Sequence, residues 1–174
     1  ITPETRGRER LPPPPFIVAP KHSSYGDGFL MYVQFDDIAF VTGDHLERFP
    51  LVPKVLEKLG AIVIDNCGGS EARRSGGWRW QAASQGPVVP VATGLGLRWQ
   101  QEDFKKYPGP AVIEFLDPIP PGLGKDEFLE RLGGAIRSNT DRLVAEGREW
   151  DAANALKREP DRPSKKADQD TDED

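Results

Sequence analysis

Phe16-Ile17-Val18-Ala19-Pro20-Lys21-His22-Ser23-Ser24-Tyr25-Gly26-Asp27 is the stretch that decides how this 174-residue chain is read. An apolar, strand-like run delivers a histidine and, five residues on, an aspartate. Imidazole titrates near neutrality and can take a proton from a substrate hydroxyl, while a nearby carboxylate can orient the ring and stabilise the imidazolium. Spacing alone does not make the two residues partners. In a regular helix, residues five apart point about 140° away from each other. Ser23 and Ser24 are good N-cap residues, so the sequence predicts a helix starting there and running through Phe29, Leu30 and Val33, with His22 in the preceding turn and Asp27 in the first helical turn. Two readings are open. Asp27 pairs with His22 over the helix start, or Ser24-x-x-Asp27 is a capping box in which Asp27 reaches back to the Ser24 amide, the commoner outcome for such spacing.

Further strands are expected near 37–42, 61–65, 88–92 and 111–116, where short apolar runs are bounded by turn residues. Helices are expected near 50–59 and 126–146, the second carrying Phe128, Leu129, Leu132, Ile136, Leu143 and Val144 on one apolar face. Strands alternating with helices predict an α/β domain, a single mixed sheet flanked by helices, over residues 16–146. Residues 1–15 read as an extended lead-in stiffened by Pro12 to Pro15, and 147–174 as a helical extension followed by a disordered acidic tail.

Composition narrows the function classes. The net charge is −5, of which residues 161–174, with six acids and three bases, supply −3. This is no basic nucleic-acid surface. The single Cys67 excludes an intramolecular disulfide framework and fits a reducing compartment. His22, Asp27, His45 and Cys67 have no recognised zinc-ligand spacing, so no metal is expected. No apolar run reaches membrane-spanning length, and the N-terminus carries no signal-peptide pattern. Gly68-Gly69 reads as a turn, since no Gly-Lys-Ser/Thr follows. Trp78, Trp80 and Trp99, with Arg79 and Arg98 beside them, suit a bilayer interface or, more commonly, half-buried packing.

Lys21-His22-Ser23-Ser24-Tyr25-Gly26-Asp27 resembles the His-x4-Asp block of the glycerolipid acyltransferases, the family that includes 1-acylglycerol-3-phosphate acyltransferase, with Lys21 where Asn is usual. The resemblance continues. Phe40 to Val52 followed by Leu59-Gly60-Ala61-Ile62-Val63-Ile64-Asp65 is similar to the second block, Pro87-Val88-Val89-Pro90-Val91-Ala92 to the fourth, and Tyr107-Pro108-Gly109 through Phe115-Leu116-Asp117-Pro118-Ile119-Pro120-Pro121-Gly122 to the closing strand and its Pro-Ile-Pro turn. Coverage is roughly residues 12 to 145.

The chain departs from the family pattern at three places. Gly43 and Asp44 stand where basic residues usually precede the Leu of the second block, and Asn66 stands where an Arg usually follows the Ile-Asp pair. The third block, a Phe-Pro-Glu-Gly-Thr-Arg type loop that helps hold the acyl acceptor, is absent between Asp65 and Val88. With only residues 66 to 87 available there, one crossover helix near Trp78 to Ser84 fits, and the sheet is expected to lack one strand and one helix of the family fold. The join at Arg74-Ser75-Gly76-Gly77 reads as a deletion, a skipped segment of a gene model or a degraded copy.

The resemblance implies an O-acyltransferase of phospholipid biosynthesis. His22 would deprotonate the free hydroxyl of a lysophosphatidate-type acceptor, Asp27 would orient His22, and acyl-CoA or an acylated carrier protein would be the donor. Phosphatidic acid would be the product. No cofactor is expected to stay bound, no residue is assigned to substrate binding, and nothing points to a particular oligomer. A membrane surface is the expected partner and the cytoplasmic face of a membrane the expected location. Relatives carry hydrophobic helices before the His block, so a chain beginning at Ile1 without Met is expected to be a fragment that has lost such a segment. The competing reading is an inactive acyltransferase remnant that at most binds lipid or a membrane surface.

Overall fold

The computed structural model describes residues 1–24, 26–43, 48, 50–58, 60–64, 85–100 and 105–156. Its elements run β1 (Thr2–Arg6), a 3-10 turn (Arg8–Arg10), β2 (Ile17–Pro20), α1 (Asp27–Tyr32), β3 (Val41–Gly43), α2 (Val52–Lys58), β4 (Ile62–Ile64), β5 (Val88–Thr93), a second 3-10 turn (Leu95–Leu97), β6 (Pro110–Phe115) and α3 (Lys125–Ala153). A four-stranded mixed sheet has the order β1-β6-β5-β2, and β3 and β4 form a separate parallel pair. Within the main sheet β1 lies parallel to β6, and β2 parallel to β5, while β5 and β6 are antiparallel. The α/β class and mixed sheet are those expected from the sequence.

Every residue of β5 is buried, as a strand covered on both faces requires. Its side chains alternate between two layers. Val89 and Val91 join Ile113, Phe115 and Met31 on the α1 face, with Phe16, Val18, Leu30, Phe35 and Phe40 packed around them. Val88 and Ala92 turn the other way, toward Phe128, Leu129, Leu132 and Leu143 of α3. Phe35 bridges Phe16 and Phe115 by edge-to-face contacts at centroid distances of 5.9 and 5.8 Å.

The structure revises several expected boundaries. Thr2–Arg6, assigned by sequence to a lead-in, is the edge strand beside β6. Pro3 is tolerated there because an edge strand has an unpaired side. The run Pro12 to Pro15 bends, with the Pro14–Pro15 peptide cis, rather than extending as a straight rod. The helix expected from Ser23 begins only at Asp27. Ser24 Oγ accepts the Gly26 amide at 3.0 Å, a side-chain turn that competes with helical hydrogen bonding. The strand expected at 37–42 shortens to Val41–Gly43, and the helix expected at 126–146 continues to Ala153. The crossover helix near Trp78, the Arg74 join, Cys67, His45, Asn66, Gly68-Gly69 and the chain beyond Arg158 lie outside the described residues.

Arg98 holds the end of α3 against the sheet. It is fully buried, its Nη1 donates to Asp151 Oδ1, its Nη2 to the Gly147 carbonyl at 3.1 Å and its Nε to the Pro110 carbonyl at 2.9 Å. The guanidinium lies 5.1 Å from the centroid of the Trp150 ring. Of the two expected readings of this cluster, packing holds for the described members: Arg98 is a buried ion-pair partner and Trp99 is half-buried, with Lys106 over its ring at 4.3 Å.

Candidate active site

β2 and β5 run parallel in the register Pro20↔Val91, and the Lys21 amide extends the ladder to the Val91 carbonyl at 3.2 Å. Their carboxyl ends therefore finish side by side, the position where open α/β sheets present their ligand-binding groups. His22 follows β2 and is exposed. Thr93 ends β5, and Asp27 opens α1; both are 3% exposed.

Asp27 is fixed from three directions. Its Oδ2 accepts the Ser23 amide at 2.6 Å and the Ser24 amide at 2.8 Å, and its Oδ1 accepts the Thr93 hydroxyl at 3.3 Å. The Ser24 contact is the reach-back bond that the Ser24-x-x-Asp27 spacing suggested, made here in the turn before the helix, whose N-cap is Gly26, and the Ser23 contact extends it across the turn on which His22 sits. Burial pushes the Asp27 carboxyl above the usual carboxylate range, opposed in turn by the Ser23 and Ser24 amides, the charge of His22 and the Thr93 hydroxyl. His22 is thus close enough to favour the Asp27 carboxylate electrostatically. Among the described residues it makes no hydrogen bond.

Gly26 and Gly96 set the tightness of this corner. A Cβ on Gly26 would stand 2.9 Å from Leu95 Cδ2 and 3.1 Å from the Trp99 ring, and one on Gly96 would stand 2.8 Å from Ser23 Cβ. Thr93 is the contributor that sequence motifs alone did not single out. Its signal is indirect: it follows the Pro87 to Ala92 run by one residue, and only the β2–β5 register brings it to Asp27. Among the described residues no cluster of His, Cys, Asp and Glu side chains is arranged to hold a metal ion.

Comparison with known proteins fits this arrangement. The acyltransferase family model matches residues 2–89, about half of the chain and all of the His-x4-Asp block. The chain belongs to that acyltransferase family. Its fold is similar to the crystal structure of the 1-acyl-sn-glycerophosphate (LPA) acyltransferase PlsC from Thermotoga maritima, with a TM-score of 0.65, 16% sequence identity and coverage of 83% of this chain and 73% of that chain. A search of curated proteins finds no match.

Proposed function

We propose that this protein transfers an acyl group from a thioester, acyl-CoA or an acylated carrier protein, to the free hydroxyl of a lysophosphatidate-type acceptor. The observation that carries the reading is the turn between β2 and α1, where an exposed imidazole stands beside a buried carboxylate in a chain of the acyltransferase family. His22 takes the hydroxyl proton as the oxygen attacks the thioester carbonyl. The new C–O bond forms, the C–S bond breaks, and the departing thiolate takes the proton back from the imidazolium.

Asp27 acts as a positioning residue. By accepting the Ser23 and Ser24 amides it fixes the backbone on either side of the reacting turn, and its negative charge favours the imidazolium as it forms. No cofactor is required by this chemistry.

A membrane surface belongs to the same proposal. Phe29, Tyr32, Val33, Val41, Leu51, Val55 and Ile62, in or beside α1, β3, α2 and β4, are all large apolar residues left exposed, with Phe29, Val33 and Leu51 each above 70%. Among the described residues no helix is long and apolar enough to cross a membrane. A lipid acceptor reached from the cytoplasmic face of a bilayer would bring such a surface into contact with the site.

The test is acyl transfer from a labelled acyl thioester to lysophosphatidate, comparing the wild-type chain with His22→Ala. Loss of about a hundredfold or more in the variant supports the general base. The second reading, an inactive remnant, is favoured by the lack of any Glu-Gly pair between Asp65 and Val88. It predicts no turnover in either protein while both remain folded.

A further inference from the structure

Thr93 reaches the His22 turn from a strand. It pairs with Ile113 in the β5–β6 ladder, and the next amide, Gly94, donates to the Val112 carbonyl at 2.9 Å. Its side chain is buried. A β-branched residue on a paired strand has few rotamers to choose from, so the sheet itself aims the hydroxyl.

The direction of each hydrogen bond at that hydroxyl is fixed by the groups around it. The Leu95 amide donates to Thr93 Oγ1 at 3.1 Å, and an amide N–H cannot accept in return. The proton of the hydroxyl is left for Asp27 Oδ1, 3.3 Å away. That contact is longer than the ~2.7 Å of an ordinary hydroxyl bond, as hydrogen bonds of resting catalytic sites often are before substrate tightens them. A directed relay results, from the Leu95 amide through Thr93 to the carboxylate that also accepts the Ser23 and Ser24 amides.

The two oxygens of Asp27 are not equivalent toward a proton. Oδ2 already accepts two backbone amides, at 2.6 and 2.8 Å, and neither can reverse its direction. A proton arriving on the carboxyl therefore goes to Oδ1, where it meets the hydrogen of Thr93 head-on. Accommodating it requires the hydroxyl to turn away and give up its bond to the carboxylate. Burial favours that proton, and the Thr93 hydroxyl opposes it. Among the described residues the charged group bearing on Asp27 is His22, which opposes it as well.

We infer that Thr93 is a second positioning residue of the candidate active site: its hydroxyl holds the Oδ1 edge of Asp27 as an acceptor, so that the carboxylate keeps its charge and its place when the His22 imidazolium forms. Without that hydroxyl, burial would leave a larger fraction of the molecules with a neutral Asp27, unable to favour the imidazolium. The catalytic consequence rests on the acyl-transfer reading; the hold on Asp27 does not.

The test follows the Asp27 Cγ signal by NMR against pH in the full chain, with kcat/KM for acyl transfer to lysophosphatidate measured over the same range. Thr93→Val keeps the shape and removes the hydroxyl, and should raise the Asp27 midpoint by about half a pH unit or more. Its kcat/KM should fall by about threefold or more below that midpoint and recover above it, where Asp27 ionises unaided. A merely structural role would lower activity at every pH. Thr93→Ser keeps both donor and acceptor, and should bring midpoint and activity back toward the wild type. In the wild type itself the Leu95 amide should titrate with the Asp27 midpoint, because the relay passes through Thr93; this measurement decides if Thr93→Val does not fold. An unmoved midpoint in Thr93→Val, a Thr93→Ser variant as defective as Thr93→Val, or a Leu95 amide indifferent to Asp27 would overturn the inference. A raised midpoint with no turnover in any chain keeps the hold on Asp27 and removes the acyl-transfer reading, whereas turnover with an unmoved midpoint removes the role of Thr93 and keeps that reading.

Discussion

Against α3 the main sheet seals its apolar side chains and carries the Arg98–Asp151 and Arg142–Glu114 pairs, whereas in α1, β3, α2, β4 and the turns beside them seven large apolar residues between Phe29 and Ile62 stay open to solvent. Arg142 bridges Glu114 of β6 and Glu146 of its own helix, and Arg6 of β1 reaches Glu146 at 2.7 Å, so α3 is tied to two strands by one ionic row. The other region has only short elements. α1 spans Asp27–Tyr32, β3 and β4 pair as a two-stranded unit, and Tyr32 stacks at 6.1 Å on Phe40, the residue before β3. The contrast separates a side that stabilises the fold from a side that is available to a partner. The His22 turn lies where they meet.

The largest expected effect lies on the sealed side. Replacing Arg98 by Met leaves the Asp151 carboxylate and the Gly147 and Pro110 carbonyls without the guanidinium, and breaking a buried pair in this way costs about 3–5 kcal/mol. Urea denaturation measures it. Arg98→Met/Asp151→Leu should recover much of the loss, because removing both charges leaves none buried and unpaired. A single variant as stable as the wild type would mean that the Arg98–Asp151 pair adds nothing to the apolar packing and the ionic row that hold α3.

At the junction, Asp27→Asn separates the fixing of the turn from the charge it carries. The amide oxygen can still accept from Ser23 and Ser24, so the fold is expected to persist while acyl transfer falls by about a hundredfold. The pH dependence gives a second reading. Burial raises the native Asp27 pKa above its unfolded value, so the native state binds the proton more firmly. The wild type should lose stability as pH rises from the ordinary carboxylate range through the raised native value, and this contribution should vanish in the variant. An unchanged pH profile of stability would contradict the burial of a titrating carboxylate at this corner.

The open side is tested by Phe29→Ser/Val33→Ser. Both side chains are more than 70% exposed, so folding stability should change little, whereas affinity for phosphatidylcholine vesicles should drop by about tenfold or more. Sedimentation with vesicles reads this directly, and equal binding by variant and wild type would remove the membrane surface from the proposal.

These two sides were not equally legible in the sequence. β2, β5 and β6 are apolar runs that announce strands, half-buried in β2 and largely buried in β5 and β6, and Phe128 to Val144 announce one face of α3. Thr2–Arg6 carries no such pattern, since Thr-Pro-Glu-Thr-Arg buries almost nothing and becomes a strand only because the edge of β6 needs a partner. The site shows the same division. His22 and Asp27 were visible as a motif, but the local sequence left capping and pairing undecided, and the structure shows Asp27 reaching back to the Ser23 and Ser24 amides of the turn rather than capping the helix. Thr93 was invisible because the β2–β5 register, set by tertiary packing, brings it to Asp27. For Arg98, next to a tryptophan, the sequence favoured half-buried packing but named no partner, because Asp151 lies 53 positions away.

The smallest effect comes from two glycines of the same helix. Gly134 has open space where a Cβ would stand, so Gly134→Ala should stabilise the protein by about 0.5–1 kcal/mol, the intrinsic preference of a helix interior for alanine. Gly147 has the same intrinsic preference and the opposite surroundings. A Cβ there would collide with the Leu97 side chain and approach Arg98 Nη2 at 3.4 Å, while its carbonyl accepts from that same guanidinium. Gly147→Ala should therefore destabilise, with the closely packed Leu95–Leu97 turn forced away from α3. Thermal melts of the two variants measure the difference between them, in which helix propensity cancels and only the closeness of the sealed side remains. Equal shifts of the same sign would show that α3 does not approach the turn as tightly as its glycine implies.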